Sequence, residues 1–391
     1  MNRSFIARNP SVLIFLSILA LFTLVVTVLS EGFGVGLIST SFVKVLGKTL
    51  CLCLIAIAMD LIWGYTGILS LGHFAFFGLG GYMIGMWLMY ERTRQIVVNS
   101  LSEGVLPPTP EEISAGIGNQ IFGVVGSSDF PLIWAFADSL VLQLAFVVLI
   151  PGILALVFGW LAFRSRVTGV YLSILTQAMT LGLSLYLFQN ASGLRGNNGL
   201  SGLQNLPGVT APQSVVSLWF FWASALALAL GYLLVAWVVS GKFGSVIRGI
   251  RDNEARVRFL GYSVETYKLA VFTLTACISG IAGALYYPQA GIINPAEVAP
   301  IASIYLAVWV AIGGRGRLYG AVIGTAFVSL VSSWFTGGQA PDVPLGFYTV
   351  KWVDWWLVLL GLSFVLVTLY APNGIGGLVD LLKRKRKEAD Q

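Results

Sequence analysis

The sequence predicts an all-α integral membrane protein of about ten transmembrane helices, with broken or re-entrant segments and both termini cytoplasmic. Three observations carry that prediction. The chain is 57% hydrophobic and 10% charged, with a mean hydropathy of +0.85, whereas soluble domains carry about a quarter charged residues. Several uncharged runs approach or exceed the roughly 18 residues that cross a bilayer as a helix. The basic residues gather between alternate runs. Runs such as VLIFLSILALFTLVVTVL (12–29) are apolar all round, without the period-two alternation of a barrel strand. A helix also satisfies its own backbone groups in lipid.

The spans fall at about 12–29, 49–63, 72–90, 140–162, 168–189, 218–240, 269–288, 301–313, 318–335 and 353–371. The second and eighth are short and need flanking residues or a re-entrant path. The first follows Arg3 and Arg8 as a signal peptide would. Its apolar run of about 19 residues exceeds a typical h-region, so it reads as a retained helix. With the N-terminus inside, the inner segments hold 17 of the 23 Lys and Arg and the outer loops hold 6. The positive-inside rule therefore puts both ends in the cytoplasm.

Residues 1–391 read as a single transmembrane domain. It has an outer loop at 91–139, a charged inner loop at 241–268 and a basic tail at 377–391. The outer loop, with PPTP and scattered acids, is expected to lie loosely on the surface. The net charge of +6 does not point to nucleic acid, because the basic residues sit between apolar runs and in the tail. Cys51, Cys53 and Cys277 lie within apolar segments and give neither a disulfide frame nor zinc spacing.

No nucleotide motif survives inspection. GKT (47–49) would end a phosphate loop only if a glycine stood at 42, which is Phe42, and GGRGRLYG (313–320) misses the dinucleotide spacing. One histidine excludes His-rich metal clusters. No pair of carboxylates is closely spaced within the spans, so an enzyme is disfavoured. Asp354 stands beside Trp352, Trp355 and Trp356, the composition of a membrane interface. Asp60 lies deeper, where an acid has equal claim to a functional and a structural role.

Two stretches stand out. GYTGILSLGH (64–73) interrupts the apolar pattern with Gly64, Tyr65, Thr66, Gly67, Ser70 and the sole histidine, His73. Glycine tolerates unusual torsions, and transport proteins expose backbone polar groups at such breaks to meet solutes. For His73 itself a packed, hydrogen-bonded ring is favoured over solute contact. Just beyond, Gly78, Gly81 and Gly85 share one helix face and allow another helix to approach. A second Gly-rich break before a helix occurs near 313–324 and raises the hypothesis of a duplicated architecture. The other stretch, RGIRDNEARVRFLGYSVETYKLA (248–270), mixes Arg248, Arg251, Asp252, Asn253, Glu254, Arg256 and Arg258 on a helix-competent run. Gly261 ends that helix and a second short one starts near Ser263, a good N-cap. A solvated loop and a rigid docking helix both fit. Val257, Phe259 and Leu260 beside the charges favour docking.

GYTGILSLGHFAFFGLGGY (64–82), RSRVTGVYLSILTQA (164–178), RGNNGL (195–200), RDNEARVRFLGYSVETYKLAVFTLTACISGIAGALY (251–286) and GGRGRLYGAVIG (313–324) together resemble the branched-chain amino acid/urea family of ABC importer permeases. The resemblance covers about residues 50–376. YMIGMWLMYER (82–92), GIINPAEVAPIASIYLAVWVAIGGRGRLYG (291–320) and FTGG before a Trp-rich last helix are most similar to the urea-type second permease subunit.

The resemblance implies an inner-membrane complex of two different permeases, two ATP-binding cassette subunits and an extracytoplasmic solute-binding protein, with no cofactor on this chain. It also makes 248–261 the coupling element. Here the chain departs from the general importer pattern: Glu254–Ala255 lacks a second Ala, and Gly261 falls seven residues after the Glu where six is usual. Asp60, the 64–73 break and Gln177 are the expected translocation path. The spans carry few full charges, which favours a neutral solute such as urea over branched-chain amino acids. An ion-coupled secondary transporter is the alternative of another class.

Overall fold

A computed structural model describes residues 10–32, 35–101, 109–122, 131–167, 169–337, 343–344, 349–350, 352–370, 374 and 377. Apart from Gly377, the predicted basic tail lies outside them. The described chain is a helical bundle: α1 (Pro10–Leu29), α2 (Thr40–Asp60), α3 (His73–Leu101), α4 (Pro110–Phe122), α5 (Leu140–Arg164), α6 (Val170–Phe188), α7 (Gln213–Ser240), α8 (Lys242–Phe259), α9 (Val264–Ala290), α10 (Pro300–Gly313), α11 (Leu318–Thr336) and α12 (Trp352–Tyr370). Two short antiparallel pairs join loops, β1 (Leu200–Ser201) with β2 (Ile292–Ile293) and β3 (Val343–Pro344) with β4 (Thr349–Val350).

Helices cover all ten predicted stretches, and among the described residues seven are long and apolar enough to cross a membrane: α1, α2 with its extension to Tyr65, α5, α6, α7, α9 and α11. Two differ for physical reasons. The far part of α3 carries Glu91, Arg92 and Arg94. α10 has 14 residues, about 21 Å of helix against a core of roughly 30 Å. α12 is apolar from Trp355 to Tyr370.

α2 is the centre of the bundle. It is apolar over most of its length, as a helix with neighbours on every side is, and nearly every residue from Val43 to Asp60 is buried. It packs on α7, α9 and α11. The expected start at 49 is corrected here. Lys44 and Lys48 end the apolar run in the sequence, yet the helix starts at Thr40, behind an N-cap at Ser39. Lys48 is therefore inside the bundle and not in an outer loop. α1 is peripheral. It buries Val12, Leu19 and Val26, one residue per two turns, against α7, where Phe15 stacks on Tyr232 and Trp222 donates to Thr27 at 2.8 Å.

α3 and α9 approach each other backbone to backbone. A Cβ on Gly80 would fall 2.1 Å from Gly280 O, and one on Gly283 1.8 Å from Phe77 O; the absence of side chains there lets the two helices touch. The Gly78–Gly81–Gly85 face is tight at its first two members, against Val298 and Tyr287. At Gly85 the contact is milder, with the nearest atom a Leu200 methyl at 3.3 Å that must shift slightly for a Cβ. Gly85→Ala is expected to shift thermal stability by less than about 1 kcal/mol, since the lower chain entropy of alanine offsets a slight displacement of Leu200. A melting midpoint far below the parent would place this face in tighter contact.

The stretch expected to lie loosely at 91–139 holds ordered helix in its described parts. α3 runs to Leu101, and α4 folds back on it with Ile117, Ile121 and Phe122 buried. Thr109 caps α4, and its hydrogen bonds hold Glu112 below the usual carboxylate range. Trp134 packs on Phe122 and donates to Gly193 O at 2.7 Å, pinning the end of the loop. A second correction concerns Ser263. The turn at Gly261 (φ 90°) leads directly into α9, so the expected separate short helix is the first turns of that long one.

Candidate functional site

α2 does not stop at Asp60 but widens into a π turn, Leu61–Tyr65, a form that occurs mostly at functional sites. Gly67 then takes φ 79°, which glycine adopts without strain, and the chain re-enters the bundle without helical structure to residue 72. At membrane depth such backbone needs partners, and α6 supplies them. Ser173 Oγ donates to Leu69 O at 2.7 Å, and Thr176 Oγ1 accepts from Leu71 N at 3.0 Å. Further along, Ser184 Oγ donates to Pro295 O at 3.1 Å, in a second interruption between α9 and α10. These hydroxyls, with Thr180, recur at spacings of three and four on one buried face of α6. That ladder is visible in the sequence but was not singled out.

The start of α3 is joined to α10, where Phe74 N donates to Ser303 Oγ at 3.1 Å. Since α10 is short, this meeting point lies within the bundle and not at its end. Ser70 and His73 are fully buried there. His73 Nδ1 lies 3.3 Å from Ser70 O, while His73 Nε2 and Ser70 Oγ have no partner.

The other half of the break faces α8. Asp60 Oδ1 accepts from Gly316 N at 2.7 Å, tying the end of α2 to the α10–α11 turn. Arg251 Nη1 donates to Gly64 O at 2.9 Å and its Nε to Asp252 Oδ1 at 3.0 Å. A Cβ on Gly64 would lie 2.5 Å from Gly316 N, so glycine lets these turns close on each other. Arg315 stacks over Trp63 at 5.2 Å. Thr66 and Gly67 line a polar cleft of about 240 Å³ with Arg251, Asp252, Asn253, Glu254 and Lys268. The structure thus brings the break and the charged inner loop, which the sequence treated as separate, into one contiguous site. Tyr65 ends the π turn beside them. Gln177 is half-buried next to Thr176 and lines neither the cleft nor the break.

α8 is two helices in one. Asn253 is extended (φ −161°, ψ 96°), and its side chain accepts from Arg256 N at 3.0 Å, capping the second piece. Glu254 bridges Arg258 at 3.0 Å and Lys268 at 2.6 Å, and Arg258 also pairs with Glu265. These carboxylates, Glu265 first, hold the Arg258 proton more firmly. Val257 turns inward onto Ile250 and Val264. Phe259 and Leu260 stand out, 94% and 70% exposed. Arg256 and Gly261 flank them on the surface, and Arg248 is half-buried earlier on α8.

A second polar centre was missed in the sequence. Glu297 lies within electrostatic reach of Lys48, Tyr82 and Tyr287, each from a different helix. It was missed because Lys48 was read as a loop residue and Glu297 lies outside the predicted spans. Among the described residues, no group of three or more His, Cys, Asp or Glu is placed to hold a metal.

Comparison with known proteins shows the family. Residues 41–368 match the family described as branched-chain amino acid transport system / permease component. The high-affinity branched-chain amino acid transport system permease protein LivM of Escherichia coli K12 is 21% identical over 361 residues, covering 87% of this chain and 71% of that protein, and LivM of Salmonella typhimurium LT2 is equally similar. The autoinducer 2 import system permease protein LsrC of Escherichia coli O9:H4 is 29% identical over 117 residues, 27% of this chain and 34% of that protein. No solved structure matches. The chain is a multi-pass membrane protein and a transport subunit, and it belongs to the branched-chain amino acid transport system permease family of ABC importers.

Proposed function

We propose that this permease carries a small polar solute of the amino-acid class across the inner membrane, driven by ATP hydrolysis on partner subunits. The observation that carries the reading is the hydrogen bond from Arg251 to Gly64 O. It joins the surface helix α8 to the break in α2, so a force applied to α8 reaches the helices around the interior. The partners in this reading are a second homologous permease, two ATP-binding cassette subunits and an extracytoplasmic binding protein. The end bearing α8 faces the cytoplasm, as the positive-inside distribution requires. The ATPase docks on Phe259 and Leu260, and its closure moves α8, the π turn and the α10–α11 turn together. This is a rigid-body device of the kind that alternately opens a path to each side.

Likeness to the LivM proteins, which are named for branched-chain amino acids, supports the solute class. Urea is the second reading, favoured by the resemblance of 82–92 and 291–320 to urea-type permeases. The test is uptake of labelled leucine and labelled urea into vesicles holding the full complex. Leucine is expected to accumulate with ATP inside and to stop when the ATPase is inactivated by substitution. Urea accumulation alone would select the second reading, and uptake that persists with an inactive ATPase would select an ion-coupled carrier.

A further inference from the structure

Lys48 lies on α2 twelve residues before Asp60, about 18 Å along the helix, so the second polar centre is separate from the break and α8. Tyr82 comes from α3, Tyr287 from α9 and Glu297 from the interruption before α10. Close packing fixes this meeting of four elements. A Cβ on Gly47 would lie 1.8 Å from Gln289 Oε1, one on Gly81 2.0 Å from the Tyr287 ring and one on Gly78 2.4 Å from Val298.

Three properties distinguish the cluster from a structural ion pair. Lys48 is the positive charge that acts on Glu297, yet the two do not close to a salt bridge. Both are only part-buried. The Tyr82 and Tyr287 rings are fully buried and their hydroxyls have no hydrogen-bond partner, although that of Tyr287 lies beside the Glu297 carboxyl without completing a bond of normal geometry. Buried polar atoms are normally satisfied, and an exception calls for an absent partner. A structural pair would draw together and use the hydroxyls. This one is held apart, beside buried hydroxyls that complete no bond of normal geometry.

We propose that Lys48 and Glu297 receive the two charged ends of a zwitterionic solute, the carboxylate at Lys48 and the ammonium at Glu297, with the Tyr82 and Tyr287 hydroxyls completing its hydrogen bonds. The proposal rests on the amino-acid reading above and deepens it by naming the residues that select the class. A neutral amide such as urea leaves both charges unpaired, and a partly buried charge without a partner is unfavourable. The sequence argument for a neutral solute rested on spans poor in full charges. With Lys48 inside the bundle and Glu297 beside it, that ground is gone.

The experiment measures labelled leucine uptake by vesicles containing the full complex, for the parent and for Lys48→Met, Glu297→Gln, Tyr82→Phe and Tyr287→Phe. Retention of the partner subunits on purification reports assembly. Each charge variant is expected to lower leucine uptake at least about tenfold, and each Phe variant, which removes one oxygen, to raise the KM for leucine with assembly intact. Parent vesicles that take up leucine beside variants that match them in uptake and KM overturn the subsite and leave the amino-acid reading standing. Parent vesicles that take up no leucine overturn the amino-acid reading, and the subsite with it. If a charge variant fails to assemble, the Phe variants decide, since an unchanged KM in both removes the proposal.

Discussion

Arg251→Ala is expected to leave the ATPase subunits bound and to lower solute uptake roughly 10- to 100-fold, the equivalent of one charge-assisted hydrogen bond lost between moving parts. The guanidinium does not point at a partner. Nη1 reaches Gly64 O at 2.9 Å, and the aliphatic stem lies over Gly67, where an added Cβ would meet Arg251 Cγ at 2.9 Å. The face left for docking is that of Phe259 and Leu260. Cutting the side chain therefore disconnects α8 from the π turn while sparing the docking surface. ATP hydrolysis should continue, uncoupled from transport. Arg251→Lys keeps the charge but not the planar fork, and should recover only part of the uptake. The decisive pair of measurements is ATPase co-purification and vesicle uptake on the same preparation. Uptake within about twofold of the parent removes the latch from the mechanism, and loss of the ATPases reassigns Arg251 to docking.

Glu254→Ala should destabilise the protein by about 2–3 kcal/mol. Removing one partner of a buried pair costs roughly 3–5 kcal/mol, and Glu254 is partly exposed, which reduces the effect. The Lys268 side chain is only 8% exposed, and its ammonium contacts Glu254 Oε2 at 2.6 Å. Without that carboxylate the charge stays buried and unpaired, and Arg258 keeps only Glu265. The second piece of α8, already separated by the extended Asn253, loses its tie to Lys268 and is held to α9 only through Arg258 on Glu265 and Val257 on Val264. The readout is the thermal midpoint of the purified protein, with Glu254→Ala paired against the double variant Glu254→Leu, Lys268→Met. The double variant should recover most of the loss, because no charge is left stranded. A double variant as unstable as the single would show that packing, not charge, holds the segment.

Much of this molecule was legible in the sequence because two signals are strong there. Apolar runs set the helices, and the mixed charges of 248–258 mark the surface helix. The failures have definite causes. Hydropathy reads a lysine as the end of a span, so Lys48 was put outside, although a helix that is central to the bundle can hold a lysine when Glu297 lies nearby. The break at 64–73 was found from its glycines, but its partners were not, because Ser173, Thr176 and Ser184 look like ordinary small residues until the chain folds. The contact between Arg251 and Gly64 joins residues far apart in sequence, and no local pattern encodes it. The choice of urea over an amino acid failed to gain support for the same reason, since it counted charges by position along the chain and not by where they meet.

α3 starts inside the bundle, anchored through Phe74 to Ser303, and runs 29 residues, about 43 Å, to a tip that carries α4. The rod is packed on α9 and α5 over its first half and held further along by Arg92 on Gly202 O, so a tilt of that packed unit by about 5° moves the far tip by roughly 4 Å. The hairpin of α3 and α4 is thus a pointer whose position registers what happens in the interior. A spectroscopic label on exposed Asn119 would follow the transport cycle from outside, without touching any residue that handles solute.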